Sequence, residues 1–149
     1  MPHEFIRHLK EDHKKQKDIS KKMIEATDPK EREKLRKEFH EELLPHIIGE
    51  EHSIFPFLVK STDTEAHEHG LVSLEEHVVA KNGLKEFMKC DATSDVFKAK
   101  AKVLDELNRH HTEEEEKEDF TKLAKLCDKA CLDKLFALYE AAEEKAKAT

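Results

Sequence analysis

The chain of 149 residues has no tryptophan, one tyrosine, three glycines, four prolines and three cysteines. So small and odd a number of cysteines speaks against a disulfide framework and for a reducing compartment. No apolar run approaches the roughly 18–20 residues that cross a bilayer. The first residues, MPHEFIRHLKEDHKK, lack the apolar stretch of a signal peptide. A cytoplasmic protein with no membrane contact is the expectation. Positive charge is in deficit, with a formal net charge of −7. This argues against a nucleic-acid partner, whose phosphates are held by cationic contacts. The chain also has no phosphate loop and no Ser-His-Asp arrangement. What remains is 37% hydrophobic and 41% charged. Rich in Lys, Glu, Ala and Leu, it favours helices with solvated outer faces around one core, in a single domain over residues 1–149.

Hydrophobic spacing divides the chain into helices. The first is expected from about His3 to Ala26, with Phe5, Ile6, Leu9, Met23 and Ile24 on one face. Asp28, Pro29 and Glu31 have the spacing of a helix start. The second helix then runs to about Lys60, carries Leu35, Phe39, Leu43, Ile47, Ile54 and Phe57 inward, and should bend or open locally at Pro45. The third spans roughly Asp63–Cys90, with Thr62 and Glu65 as its cap. The fourth is capped by Ser94 and reaches about Glu118. A last amphipathic segment from Thr121 to about Lys147 places Leu123, Leu126, Leu135, Leu138 and Tyr139 for docking, as a cap on the bundle or as an interface. Four long helices with short connections predict an all-α, up-down-up-down four-helix bundle over about residues 3–120, with an additional C-terminal helix.

Eleven histidines can be sorted by helix face. On the first helix His13 falls on the apolar stripe, on the second His46, on the third His77, on the fourth His111. Glu50 follows His46 by one turn, and the run Glu113–Glu116 follows His111. A single inward histidine is ordinarily a hydrogen-bonded core residue, and a run of acids ordinarily a solvated face. Four imidazoles and two carboxylates facing one core are different, because an unpaired buried charge costs several kcal/mol. A whole domain has only about 5–15 kcal/mol of net stability. A bound cation answers the difficulty. Six protein ligands are too many for one tetrahedral ion and suit two ions that share bridging carboxylates, iron ahead of manganese. There is no HExxH, no CxxC, and no Glu three residues before a His, so the ferritin-like di-iron motif is absent.

Four segments, LKEDH (9–13), LLPHIIGEEHSIFP (43–56), LEEH (74–77) and LNRHHTEEEEKEDF (107–120), resemble the signatures of the hemerythrin-like, HHE cation-binding domains. That resemblance implies a four-helix bundle around two non-haem iron ions joined by two carboxylates and an oxo or hydroxo bridge, with manganese or zinc as lesser occupants. It makes His13, His46, His77 and His111 terminal metal ligands, and Glu50 and Glu115 the bridges. Phe55 and Phe120 each lie nine residues after a histidine, which favours His111 with Glu115 over His110 with Glu114. True hemerythrins carry a fifth histidine one turn from the one at His77. Those positions here are Ser73 and Lys81, and His69, water or another acid is left to fill the gap. The implied function is binding of O2, a related diatomic or peroxide, or iron itself, for sensing, storage or delivery. The alternative is a di-iron enzyme acting on peroxide, O2 or nitric oxide, and a third reading is a bundle with one zinc or no metal. Cys127 and Cys131 are expected as partly buried thiols ahead of a redox pair, Lys81 as a side chain reaching for solvent ahead of one reaching towards the site, and Tyr139 as a packing residue with a wet hydroxyl. A homodimer through the C-terminal helix stays open.

Overall fold

The computed structural model describes residues 2–148; the two ends of the expected domain, residues 1 and 149, lie outside the described residues. Among the described residues every regular element is helical: α1 (Glu4–Glu25), α2 (Pro29–Glu51), α3 (Ile54–Val59), α4 (Thr64–Lys89), α5 (Asp95–Glu114), a π-helical turn (Glu115–Asp119), α6 (Phe120–Leu126) and α7 (Lys129–Lys147). The starts are set by side-chain caps, which supply acceptors to otherwise unpaired amides. Asp28 accepts from the Glu31 amide at 3.1 Å, and Ser94 from that of Val96 at 3.1 Å. At α4 the cap is Asp63, which accepts from the Ala66 amide at 2.9 Å, rather than Thr62.

Three expected boundaries move. Helix α2 continues through Pro45 and stops instead at His52 and Ser53, so the long second helix becomes α2 and α3. The π turn extends the fourth helix and leads directly into α6. The C-terminal segment is then cut at Cys127–Asp128, where Asp128 caps α7 by accepting from the Cys131 amide at 2.9 Å. Cys127 and Cys131 are joined by a disulfide, which overturns the expectation of two thiols in favour of the paired alternative. Their pairing removes the cysteine count as an argument for a reducing compartment. No helix among the described residues is long and apolar enough to cross a membrane.

The four long helices form a bundle in which α1 packs on α2 and α5, and α4 on α5 and α2. Helix α7 lies along α2, where Tyr139 is fully buried. Its ring occupies the space above Gly49, where an added Cβ would meet ring carbons at 2.6 Å. Only glycine admits that approach. The apolar core is split in two. One cluster gathers Phe5, Leu9, Ile54, Phe55, Leu58, Phe120 and Tyr139. The other gathers Met23, Phe39, Leu43, Leu84, Phe87, Phe97 and Leu104. Each fully buried phenylalanine contributes on the order of 2 kcal/mol of burial. Leu126 and Leu138, expected to dock, are exposed, as are Val96 and Leu107. A layer of buried polar side chains separates the two clusters.

Candidate metal centre

That layer holds His13, His46, Glu50, His77, His111 and Glu115, all buried. All six residues singled out in the sequence therefore come together. They fall into two overlapping groups whose ligand atoms lie within 4.8 Å of one another: His13, His46, Glu50 and Glu115, and Glu50, His77, His111 and Glu115. The register question in α5 is answered by burial, since His110 and Glu114 are exposed. His69 is half-buried and belongs to neither group.

Within the groups the ligand-type atoms stand 3.1–3.4 Å from one another. His13 Nε2 stands 3.1 Å from Glu115 Oε1, and His46 Nε2 and His77 Nε2 each stand 3.3 Å from Glu50 Oε1. His111 Nε2 is 3.4 Å from Glu115 Oε2, and the Nε2 atoms of His77 and His111 are 3.1 Å apart. Donors at 2.0–2.2 Å from one cation lie roughly 3.0–3.5 Å from each other. The Nε2 atoms of His13 and His46 and all four carboxylate oxygens of Glu50 and Glu115 are buried without a hydrogen-bond partner. Orphaned buried groups in that number are costly. Without a cation, burial works against a charged His111. The carboxylates of Glu115 and Glu76 beside the ring outweigh it and raise its pKa to about 10. Burial likewise opposes a charged Glu50, yet the imidazoles of His46 and His77 beside it hold its pKa well below the usual carboxylate value.

A second set of carboxylates orients the imidazoles. Each inward histidine turns its other ring nitrogen, Nδ1, to an acid on a neighbouring helix: His13 to Glu116 at 2.7 Å, His46 to Asp12 at 2.9 Å, His77 to Glu51 at 3.1 Å and His111 to Glu76 at 2.9 Å. With Nδ1–H donated outward, the Nε2 lone pair of each neutral ring points into the centre. The acids were in the quoted motifs, beside the histidines or glutamates, but sequence reasoning gave them no role. Their signal was adjacency: Asp12 precedes His13, Glu76 precedes His77, and Glu51 and Glu116 follow the two central glutamates. Each serves a histidine of another helix, which only packing reveals.

The two phenylalanines obey the same crossing. Phe55, nine residues after His46, packs against the His77 ring at 4.9 Å between centroids, and Phe120, nine after His111, stacks on His13 at 6.1 Å. Tyr139 is not wet. Its hydroxyl lies 2.8 Å from Asp12 Oδ2 and 2.9 Å from His46 Nδ1. Lys81 is held in an ion pair with Glu51 at 2.9 Å rather than free in solvent. Ser73, at the place of a fifth histidine, is buried and donates to Asp119 Oδ2 at 2.8 Å. Burial and the charge of Glu115 push Asp119 up to about 7. Beside His46, Glu50, His77 and His111 opens a cavity of about 120 Å³, walled by Leu43, Ile47, Val79 and Leu107.

Comparison with known proteins gives one assignment. The family described as hemerythrin HHE cation binding domain matches residues 4–123. No curated protein and no solved structure matches this chain.

Proposed function

This chain belongs to the hemerythrin HHE cation-binding family, and we propose that its polar layer binds two iron ions in an up-down-up-down bundle, for the uptake of O2, a related small ligand or iron itself. The reading rests on one observation above the others: the carboxylates of Glu50 and Glu115 lie between two histidine pairs with all four oxygens buried and unpartnered. Two ions held by both carboxylates and the four imidazoles would give those atoms partners. His13 and His46 serve one ion, His77 and His111 the other. Imidazole and carboxylate together suit iron, with manganese and zinc also compatible. Redox-active ions held there would supply a Lewis-acidic site and electrons to a small ligand.

The chain's own residues do the rest. Asp12, Glu51, Glu76 and Glu116 hold the imidazoles in one tautomer and orientation, which fixes where each Nε2 points. Phe55 and Phe120 cover ring faces and keep water from the buried carboxylates. The cavity of about 120 Å³ beside His77 and His111 gives a small apolar molecule room on that side. Elemental analysis of protein purified without chelators tests the reading. About two irons per chain are expected, and fewer than one in Glu50→Gln or Glu115→Gln. One zinc, or a metal content indifferent to both substitutions, overturns it.

A second reading, turnover of peroxide, O2 or nitric oxide, is favoured by one specific feature. Asp119 is buried four residues after Glu115, is held by Ser73, and has a pKa near 7, suited to passing a proton at neutral pH. Consumption of peroxide by the iron-loaded protein that falls in Asp119→Asn, with iron content unchanged, would move the assignment to this class.

A further inference from the structure

A second set of metal-type donors converges outside the buried centre, between α1 and α7. His8 and Asp12 stand one turn apart on α1, with the same His-to-acid spacing as His46–Glu50 and His111–Glu115. Glu143 reaches them from α7, and one ligand atom from each of the three lies within 4.8 Å of the others. His8 Nε2 is 3.5 Å from Asp12 Oδ2. That nitrogen is shut off from solvent and has no hydrogen-bond partner, while the ring packs on Phe136 and Tyr139.

Counting protons shows what the cluster lacks. The Tyr139 hydroxyl oxygen lies 2.8 Å from Asp12 Oδ2, 3.0 Å from Glu143 Oε2 and 2.9 Å from His46 Nδ1. His46 Nδ1 is also 2.9 Å from Asp12 Oδ2. Four close contacts share two protons, one from the phenol and one from the imidazole. Glu42 adds a further negative charge near Asp12. Lys147, at 3.6 Å from Glu143 Oε1, answers one oxygen at the exposed rim. Inside the cluster two carboxylates thus share one phenol and one imidazole proton, and His8 Nε2 is aimed into it without a hydrogen-bond partner.

We propose that His8, Asp12 and Glu143 form a mononuclear site for a divalent transition-metal cation, separate from the buried pair and open to solvent on one side. One imidazole nitrogen and two carboxylates are a donor set for Zn2+, Fe2+ or Mn2+, with water completing the shell. The three residues come from α1 and α7, so the site exists only when α7 is docked. Asp12 also faces His46 Nδ1, so a cation held there shares a carboxylate with an imidazole of the buried centre. Occupancy of either site then alters affinity at the other by the same factor.

The test is a titration of the metal-free full chain with Zn2+, followed by equilibrium dialysis and elemental analysis. The wild type is expected to hold one equivalent more than His8→Ala and one more than Glu143→Gln. Both side chains are partly exposed, and helical content by circular dichroism checks that the variants fold. Zn2+ should also shift the His8 Nε2 resonance in nitrogen-detected NMR of the wild type, which needs no variant. Equal stoichiometry in all three proteins overturns the proposal, as does an unmoved His8 resonance at saturating Zn2+. At saturating Zn2+, where coupling changes affinities but not the number of sites filled, the difference between wild type and variants reports on this site. A buried centre that fails to fill lowers all totals together and leaves the difference at one.

Discussion

The α1/α2 half of the polar layer and the α4/α5 half carry the same groups in the same order, yet they meet different surroundings. His111, Glu115, Glu116 and Phe120 each follow His46, Glu50, Glu51 and Phe55 by 65 residues, and His77 and Glu76 follow His13 and Asp12 by 64. The departures from this symmetry lie beside the ligand set. Where the first half has buried Leu9 and Ile54, the second has Ser73 hydrogen-bonded to Asp119. Where Asp12 is sealed under Tyr139 of α7, its counterpart Glu76 keeps 30% of its side chain exposed. The cavity touches His46 and Glu50 but is walled mostly by α4 and α5 of the second half. Equal donors thus sit in unequal surroundings, one half covered by α7 and the other bordered by more of the cavity wall.

Three experiments sharpen or break that comparison. The largest effect is expected at Asp119, whose apolar counterpart Ile54 has no charge to bury. Its folded pKa is raised, so the stability it contributes is complete below its ordinary value of 3.8 and is lost as the pH rises through about 7. Asp119→Asn should therefore unfold at higher urea than wild type in metal-free protein at pH 8.5, by roughly 2–4 kcal/mol. The gap should shrink steadily towards pH 5. A gap independent of pH would mean that Asp119 is not the buried acid that distinguishes the second half.

Next comes the outward support of the histidines. Tyr139→Phe removes a hydroxyl from a fully buried pair, and the iron affinity measured by chelator competition is expected to fall about tenfold. Glu76→Gln acts on a pair open to water and should cost about threefold or less. Equal losses would erase the asymmetry between the halves. The smallest effect is expected from reducing the Cys127–Cys131 bridge, which closes a short loop and contributes at most about 2 kcal/mol on a chain-entropy account. Reduction should lower the melting temperature by a few degrees and leave metal content unchanged. Loss of metal on reduction would show that α7 docking depends on the bridge more than on Tyr139 over Gly49.

Much of the centre was legible because helical periodicity is a local property. His13, His46, His77 and His111 fall on apolar stripes, and a buried imidazole or carboxylate on such a stripe stands out against leucines. The caps at Asp28 and Ser94 were legible for the same reason, since a cap needs only residues within one turn. The breaks were not. Pro45 marks a break that the helix does not make, while the real ends at His52–Ser53 and Cys127–Asp128 carry no proline or glycine. There the path is set by how Phe55, Phe120 and Tyr139 must pack to reach their partners. The four orienting acids sat next to the inward residues, on helix faces that look solvated. Their partners lie on other helices.

The sequence by itself determined that this chain is helical, that one face of each long helix carries a histidine, and that two of those faces add a glutamate one turn on. These follow from residue spacing and the fixed rise of a helix. Only the tertiary structure decided that the six side chains share one layer between two apolar clusters. It also decided that each imidazole is steered by an acid from a neighbouring helix, and that α7 covers one half while the cavity borders more of the other. Those outcomes depend on distances between residues far apart in the chain, where the pattern along any single helix carries no information.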